Sequence, residues 1–196
     1  MLDRLPQTIQ RLANGRAIFI LLAAVIALRV IMGLPNDPFG LNAHLDRLED
    51  ATILDLQIGY TPDDAYALLE ALGAEGRQAY AAMLLVGDTL FPISYSLLFA
   101  AIAAWLLARV ALPDHWAQRL SLIALIGGIS DIAENVSLLV MIFAFPQRLD
   151  GVAWFSSLIK ITKFGSGAIG APLIVMLAGI LMWKRTVGHR KRSSRT

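Results

Sequence analysis

Four stretches of the sequence, roughly residues 16–34, 79–108, 118–145 and 152–183, are apolar over lengths that can cross a hydrocarbon core, which takes about 20 helical residues. Nothing else in the chain narrows its fold as much. Backbone inside a bilayer has no water to bond, so a spanning segment must satisfy its own N–H and C=O groups, and runs of this length do so as helices. Composition agrees, with 57% apolar and 16% charged residues and a mean hydropathy of +0.62, against about 25% charged residues in soluble domains. The expected fold is all-α: a polytopic membrane protein of one domain, residues 1–196, built as a four-helix transmembrane bundle. A helical extracytoplasmic loop, 35–78, joins helices 1 and 2, and a basic cytoplasmic tail occupies 184–196. With no cysteine, there is neither a disulfide framework nor a thiolate metal site.

The first apolar segment, RAIFILLAAVIALRVIMGL, is longer than the apolar region of a signal peptide, carries Arg29 and lacks a small-x-small cleavage pattern, so it reads as a retained anchor. Ahead of it, Leu2, Leu5, Ile9 and Leu12 recur at helical spacing, with Gly15 as a stop, the pattern of a short helix lying on a membrane surface. Orientation follows from Lys and Arg close to the spans. Arg4, Arg11, Arg16, Arg109, Arg119 and six basic residues in WKRTVGHRKRSSRT mark the cytoplasmic side, which holds both termini. Nine acids against Arg47 and Arg77 mark residues 33–78 as external. The connection at PQRLDG is short enough for an antiparallel helical hairpin. The basic tail reads as a topology signal ahead of an anionic-lipid contact. Although it is the main source of a pI of 9.2, it makes no case for nucleic acid.

In the external loop, TPDDAYALLEALG predicts a helix with Thr61 as N-cap, Pro62 at the first position, Asp63 and Asp64 in the first turn and Gly73 as its end. Its apolar face, Ala65, Leu68, Leu69 and Leu72, must rest on something, and the outer mouth of the bundle is the expected surface. Leu41, Leu45 and Leu48 suggest a second short helix around Ala43 to Asp50. A permanent cap is the favoured reading over a lid that opens.

The segment GGISDIAENVSLLVMIF sets two acids and an amide, Asp131, Glu134 and Asn135, inside a lipid-soluble run. At a rise of about 1.5 Å per residue, these three lie about 20–26 Å from the inner end of the third span. Asp88 lies about 13 Å below the outer end of the second span, Lys160 and Lys163 about 12–17 Å below that of the fourth, and Arg29 about 20 Å from the inner end of the first. All fall in the outer half of the bilayer, with Tyr95 one heptad after Asp88. Three acids and three bases at one depth are credible when they face one another or a cavity, since a lone buried charge costs at least a few kcal/mol. Asp131 with Glu134 or Asn135, and Lys160 with Lys163, are spaced to form one patch per helix, and Ser156 and Gly167 continue the lysine stripe. Pro92 frees a backbone carbonyl that Ser94 or Ser96 could satisfy, and Gly127, Gly128, Gly165, Gly167 and Gly170 would let the third and fourth helices approach closely.

GYTPDDAYALLEALGAEGRQAY, DTLFPISY, DIAEN and a lysine-bearing last helix together resemble an uncharacterised group of small four-helix bacterial inner-membrane proteins, over residues about 59–163. The resemblance implies that location and four-span fold, and no activity.

The candidate site is Arg29, Asp88, Tyr95, Asp131, Glu134, Asn135, Lys160 and Lys163. Three functions stay open: a site entered from outside that binds or transports a polar small molecule, lipid headgroup or ion; an ion-pair layer in an accessory subunit of a larger membrane complex; and an enzyme using carboxylate and lysine acid–base chemistry. Single residues also have structural readings, Tyr95 as an interhelical hydrogen bond and Arg29 as a snorkelling cation. Membrane lipids are the expected surroundings. No metal or cofactor is expected, since His44, His115 and His189 lie away from the layer and GSGAIG follows no strand. A cavity reaching Asp131 would favour a site over a scaffold.

Overall fold

Each apolar stretch is a helix in the computed structural model, which describes residues 5–48, 53–110 and 114–193. The order is α1 (Leu5–Leu12), α2 (Gly15–Met32), α3 (Leu41–Leu45), a 3-10 turn (Leu54–Leu56), α4 (Pro62–Ala71), α5 (Gly73–Val110), α6 (Asp114–Ala144) and α7 (Asp150–Ser193). There is no strand among the described residues. Four helices, α2, α5, α6 and α7, are long and apolar enough to cross a membrane.

Helices α5 and α6 form the centre, with about half of their apolar windows buried, against none for α2 and 6% for α7. α2 packs on α5, and α7 packs on α6 and α5, with no comparable packing between α2 and α7. The peripheral helices turn large apolar side chains outward, including Phe19 at 71% and Val175 at 70% exposure. Water would not tolerate such faces at this extent, whereas hydrocarbon does.

Local signals place most helix ends. Thr61 caps α4 by accepting from the Asp64 N–H while the Asp64 carboxylate accepts from the Thr61 N–H, a reciprocal pair that holds the Asp64 carboxyl below its usual range. Gly73, at φ +66°, makes the left-handed turn from α4 into α5. Other ends differ from expectation. Gly15 does not stop α1: Asn14 caps α2 through its side chain to the Ala17 N–H at 2.9 Å, so Gly15 opens that helix. α1 is more than a surface element, since Ile9 is buried against Ala100 and Ala104 of α5; Leu2 lies outside the described residues. The short loop helix is Leu41–Leu45, earlier than Ala43–Asp50, of which Glu49 and Asp50 lie outside the described residues. The basic tail is not separate from the last helix, which runs through Ser193.

The connection between α2 and α5 packs across one end of α5, α6 and α7. Leu41, Leu54, Tyr60, Tyr66, Leu69 and Leu72 share a buried core with Tyr80 and Leu84 of α5, Leu138 and Met141 of α6 and Ala153 of α7. Beyond this core, Arg148 bonds Asp63 at 2.6 Å and Asp150 at 3.1 Å, which strengthens its hold on its proton, and the Leu149 N–H donates to the Tyr66 hydroxyl at 2.6 Å. The connection is thus a cap fastened by apolar burial.

This packing sets how α5 and α2 align. α5 has 38 residues, about 57 Å of helix and nearly twice a hydrocarbon core of about 30 Å. Its turns up to Leu84 belong to the cap core. α2, with 18 residues, is about 27 Å long. Met32, at its end, packs beside Gly87, so Asp88 lies level with the cap-side end of α2.

Candidate functional site

The site begins with a missing hydrogen bond. Pro92 lies inside the continuous helix α5 and has no N–H to give the carbonyl of Asp88, four residues earlier. Neither serine expected to meet that carbonyl does so: Ser94 donates to the Leu90 carbonyl at 2.8 Å, and the buried Ser96 hydroxyl has no hydrogen-bond partner among the described residues. The Asn135 amide donates to the Asp88 carbonyl from α6 at 2.5 Å. The amide inside an apolar helix thus replaces a bond that proline removed. Asn135→Leu should destabilise the protein by about 1–3 kcal/mol, the range for a buried group left unmade. Pro92→Ala restores the N–H, so the double variant should regain much of that loss in detergent unfolding. No regain would break the link between the two residues.

The acids and lysines form a chain of ion pairs between α6 and α7. Lys160 bonds Glu134 at 2.7 Å, and both side chains are fully buried. Lys163, its side chain 18% exposed, bonds Asp131 at 2.5 Å and Glu134 at 3.2 Å. Spacing of three on each helix makes this closure possible, because Asp131 and Glu134 present one face and Lys160 and Lys163 the facing one. Tyr95 reaches across from α5 and donates to the other Asp131 oxygen at 3.0 Å. Two acids and two lysines cancel in formal charge, the condition under which buried charges are tolerated.

The cap joins this chain through contacts that sequence reasoning missed. Lys160 also donates to the backbone carbonyl of Leu54, in the 3-10 turn. Tyr60 donates its hydroxyl to Ser156 at 2.7 Å and its N–H to Ser157 at 3.2 Å, both on α7. Ser156 belongs to the polar stripe legible in the sequence. Its partner is 96 residues away and no local pattern names it.

Beside the ion pairs lies a cavity of about 820 Å³, within the roughly 300–1,000 Å³ of small-molecule sites. Arg29, Asp88, Tyr95, Asp131 and Lys163 line one end, under Ile53 and Leu56 of the cap. Glu134, Asn135 and Lys160 are not on its wall. The eight candidate residues therefore divide: five border the cavity, and three are enclosed behind it. Arg29 has no ion-pair or side-chain hydrogen-bond partner among the described residues.

The glycines are redistributed too. Gly128 faces α5, where an added Cβ would sit 2.0 Å from the Ser96 Oγ and 3.2 Å from the Pro92 carbonyl, while Gly127 faces Ser166 of α7. Gly165 and Gly167 would meet nothing within 4 Å and Gly170 only Ile123 at 4.0 Å, so they do not serve close helix approach. Gly167 and Gly170 instead line the cavity. The described residues bring together no group of three His, Cys, Asp or Glu able to hold a metal ion.

No protein-family profile, curated protein or solved structure matches this chain. The class defined by fold and site is an all-helical protein with four membrane-length apolar helices and a buried polar cluster opening onto a cavity.

Proposed function

We propose that the protein is a four-span bundle of the bacterial inner membrane that binds, or carries, a ligand with a polar group at Arg29, Asp88, Tyr95, Asp131 and Lys163. The observation that carries this reading is the cavity that reaches Asp131 and Lys163, since an ion-pair layer needed only to hold helices together would be closed on all sides. In this reading the termini lie in the cytoplasm and the cap lies outside. A reporter fused after Thr196 should read cytoplasm and a tag near Asn42 should be accessible from outside; the reverse would overturn the orientation.

The scaffold reading keeps a share of the residues. Glu134 and Lys160 are fully buried, and Lys160 also holds the Leu54 carbonyl, so this pair fastens the cap to α6 and α7 while Asp131 and Lys163 present charge to the cavity. Asp131→Asn with Lys163→Met removes one acid and one base at nearly constant volume. It should fold with a thermal midpoint near that of the unaltered protein and lose ligand response, because a preorganised polar site is not replaced by an apolar one. The check is a thermal-shift panel of phospholipids and small zwitterions on purified protein, where a ligand at a hundredfold its Kd stabilises by about 2.7 kcal/mol. Equal responses from the compensated and unaltered proteins, or none from either, would sink the reading.

A further inference from the structure

The route into the cavity and its shape together narrow the ligand. At the cap end, Lys160 holds the Leu54 carbonyl, Tyr60 holds Ser156 and Ser157, and Leu54 is fully buried. These bonds tie the cap to α7 beside that end of the cavity. The sides differ, since α2 and α7 each pack on α5 without comparable packing on one another, and the cavity runs along α5 between them. Its α7 wall includes Gly167, Ala168 and Ala171, all exposed. These exposed small residues give the cavity a lateral approach, from whatever surrounds the apolar faces.

Below its charged end the wall is apolar, with Phe99 and Ala103 on α5 and Gly170, Ala171 and Ile174 on α7. From Lys163 to Ile174 the groove follows α7 for about 16 Å, roughly half of a hydrocarbon core of about 30 Å. Its depth suits one hydrocarbon chain in a single leaflet. The formally charged side chains on the wall are Arg29 and Lys163 against Asp88 and Asp131. Two of each sign sum to zero, so the complementary headgroup carries both signs itself. A purely anionic group would gain from the bases and lose against the acids.

We propose that the groove binds a phospholipid with a zwitterionic aminoalkyl phosphate headgroup, taken laterally from the bilayer, its phosphate beside Arg29 and one chain lying along α5 and α7. This rests on the polar-ligand reading above and adds the ligand class and the route. Small residues make the space: Gly167 lines the groove, and a Cβ added there would meet no protein atom within 4 Å, so a side chain can start into the groove from this position without displacing a helix.

The test is native mass spectrometry of the full chain in detergent with equimolar phosphatidylethanolamine and phosphatidylglycerol, paired with thermal shifts in soluble phosphoethanolamine. One phosphatidylethanolamine should be retained per chain, with at least tenfold preference over phosphatidylglycerol. Gly167→Trp and Gly170→Leu should each cut retention at least tenfold with little change in thermal midpoint, and Arg29→Gln should cut it similarly. Gly179→Trp, on α7 away from the groove, should leave it unchanged. Equal retention of phosphatidylglycerol would overturn the headgroup assignment. Undiminished retention in both Gly167→Trp and Gly170→Leu would overturn the groove. If phosphoethanolamine stabilises the unaltered protein and Gly167→Trp alike while no lipid is retained, the lateral amphiphile fails and the polar-ligand reading stands. If no probe binds, both fail.

Discussion

Glu134→Leu should destabilise the protein by about 3–5 kcal/mol, the cost of removing one partner from a buried ion pair. The reason is local: Glu134 and Lys160 are both fully buried at 2.7 Å, so removing the acid leaves a lysine that can neither reach water nor find another carboxylate as close. Lys163 keeps Asp131 and is less affected. Adding Lys160→Met to Glu134→Leu removes the stranded charge, and apolar replacements of buried pairs are often neutral. The double variant should recover most of the loss. It should not recover all, because the Leu54 carbonyl then lacks its donor and the cap loses one fastening. Reversible unfolding in mixed micelles measures the cycle. Additive single effects would show that the pair is not energetically coupled.

Gly128→Ala should cost about 1–3 kcal/mol, the range for an overpacked contact. A hydroxyl can rotate away from a Cβ placed 2.0 Å from it, but the Ser96 Cβ at 3.0 Å and the Pro92 carbonyl at 3.2 Å belong to helix α5 and move only with it. Helix separation would in turn lengthen the Tyr95–Asp131 and Asn135–Asp88 bonds, which cross the same interface. Ser96→Ala should restore part of the loss by removing the nearest atom. Gly167→Ala is the contrasting case, since nothing lies within 4 Å of its Cβ and alanine favours helix by up to about 1 kcal/mol over glycine. Thermal midpoints should fall for Gly128→Ala and hold or rise for Gly167→Ala. Equal behaviour at the two positions would remove the argument that Gly128 sets the α5–α6 distance.

The glycines show where sequence reading stopped. Five glycines near polar residues suggested one close contact between α6 and α7, yet Gly128 turned to α5, Gly127 alone of the five closed on the Ser166 hydroxyl of α7, and Gly167 and Gly170 opened a groove. A glycine's role depends on what stands opposite it, and nothing within four residues encodes that. The start of α5 is a second case. Its first turns bury apolar side chains against the cap, whereas α2 turns its own outward. Hydropathy registers both arrangements alike.

The sequence by itself determined the four apolar helices, the capped start of α4 at Thr61, Pro62 and Asp64, and the grouping of acids on α6 and lysines on α7. These are properties of residues within a few positions of one another, and backbone hydrogen bonding and helical periodicity act over that range. Only the tertiary structure decided that Lys160 takes Glu134 while Lys163 takes Asp131, that Asn135 answers the carbonyl freed by Pro92, and that the cap closes over Lys160 through Leu54. Those choices depend on the rotation and height of each helix against its neighbours, which the residues within one helix do not specify. Steric fit between small residues such as Gly128 and Ser96 sets both, and a shift of one residue along either helix would turn each polar group by about 100° away from its partner.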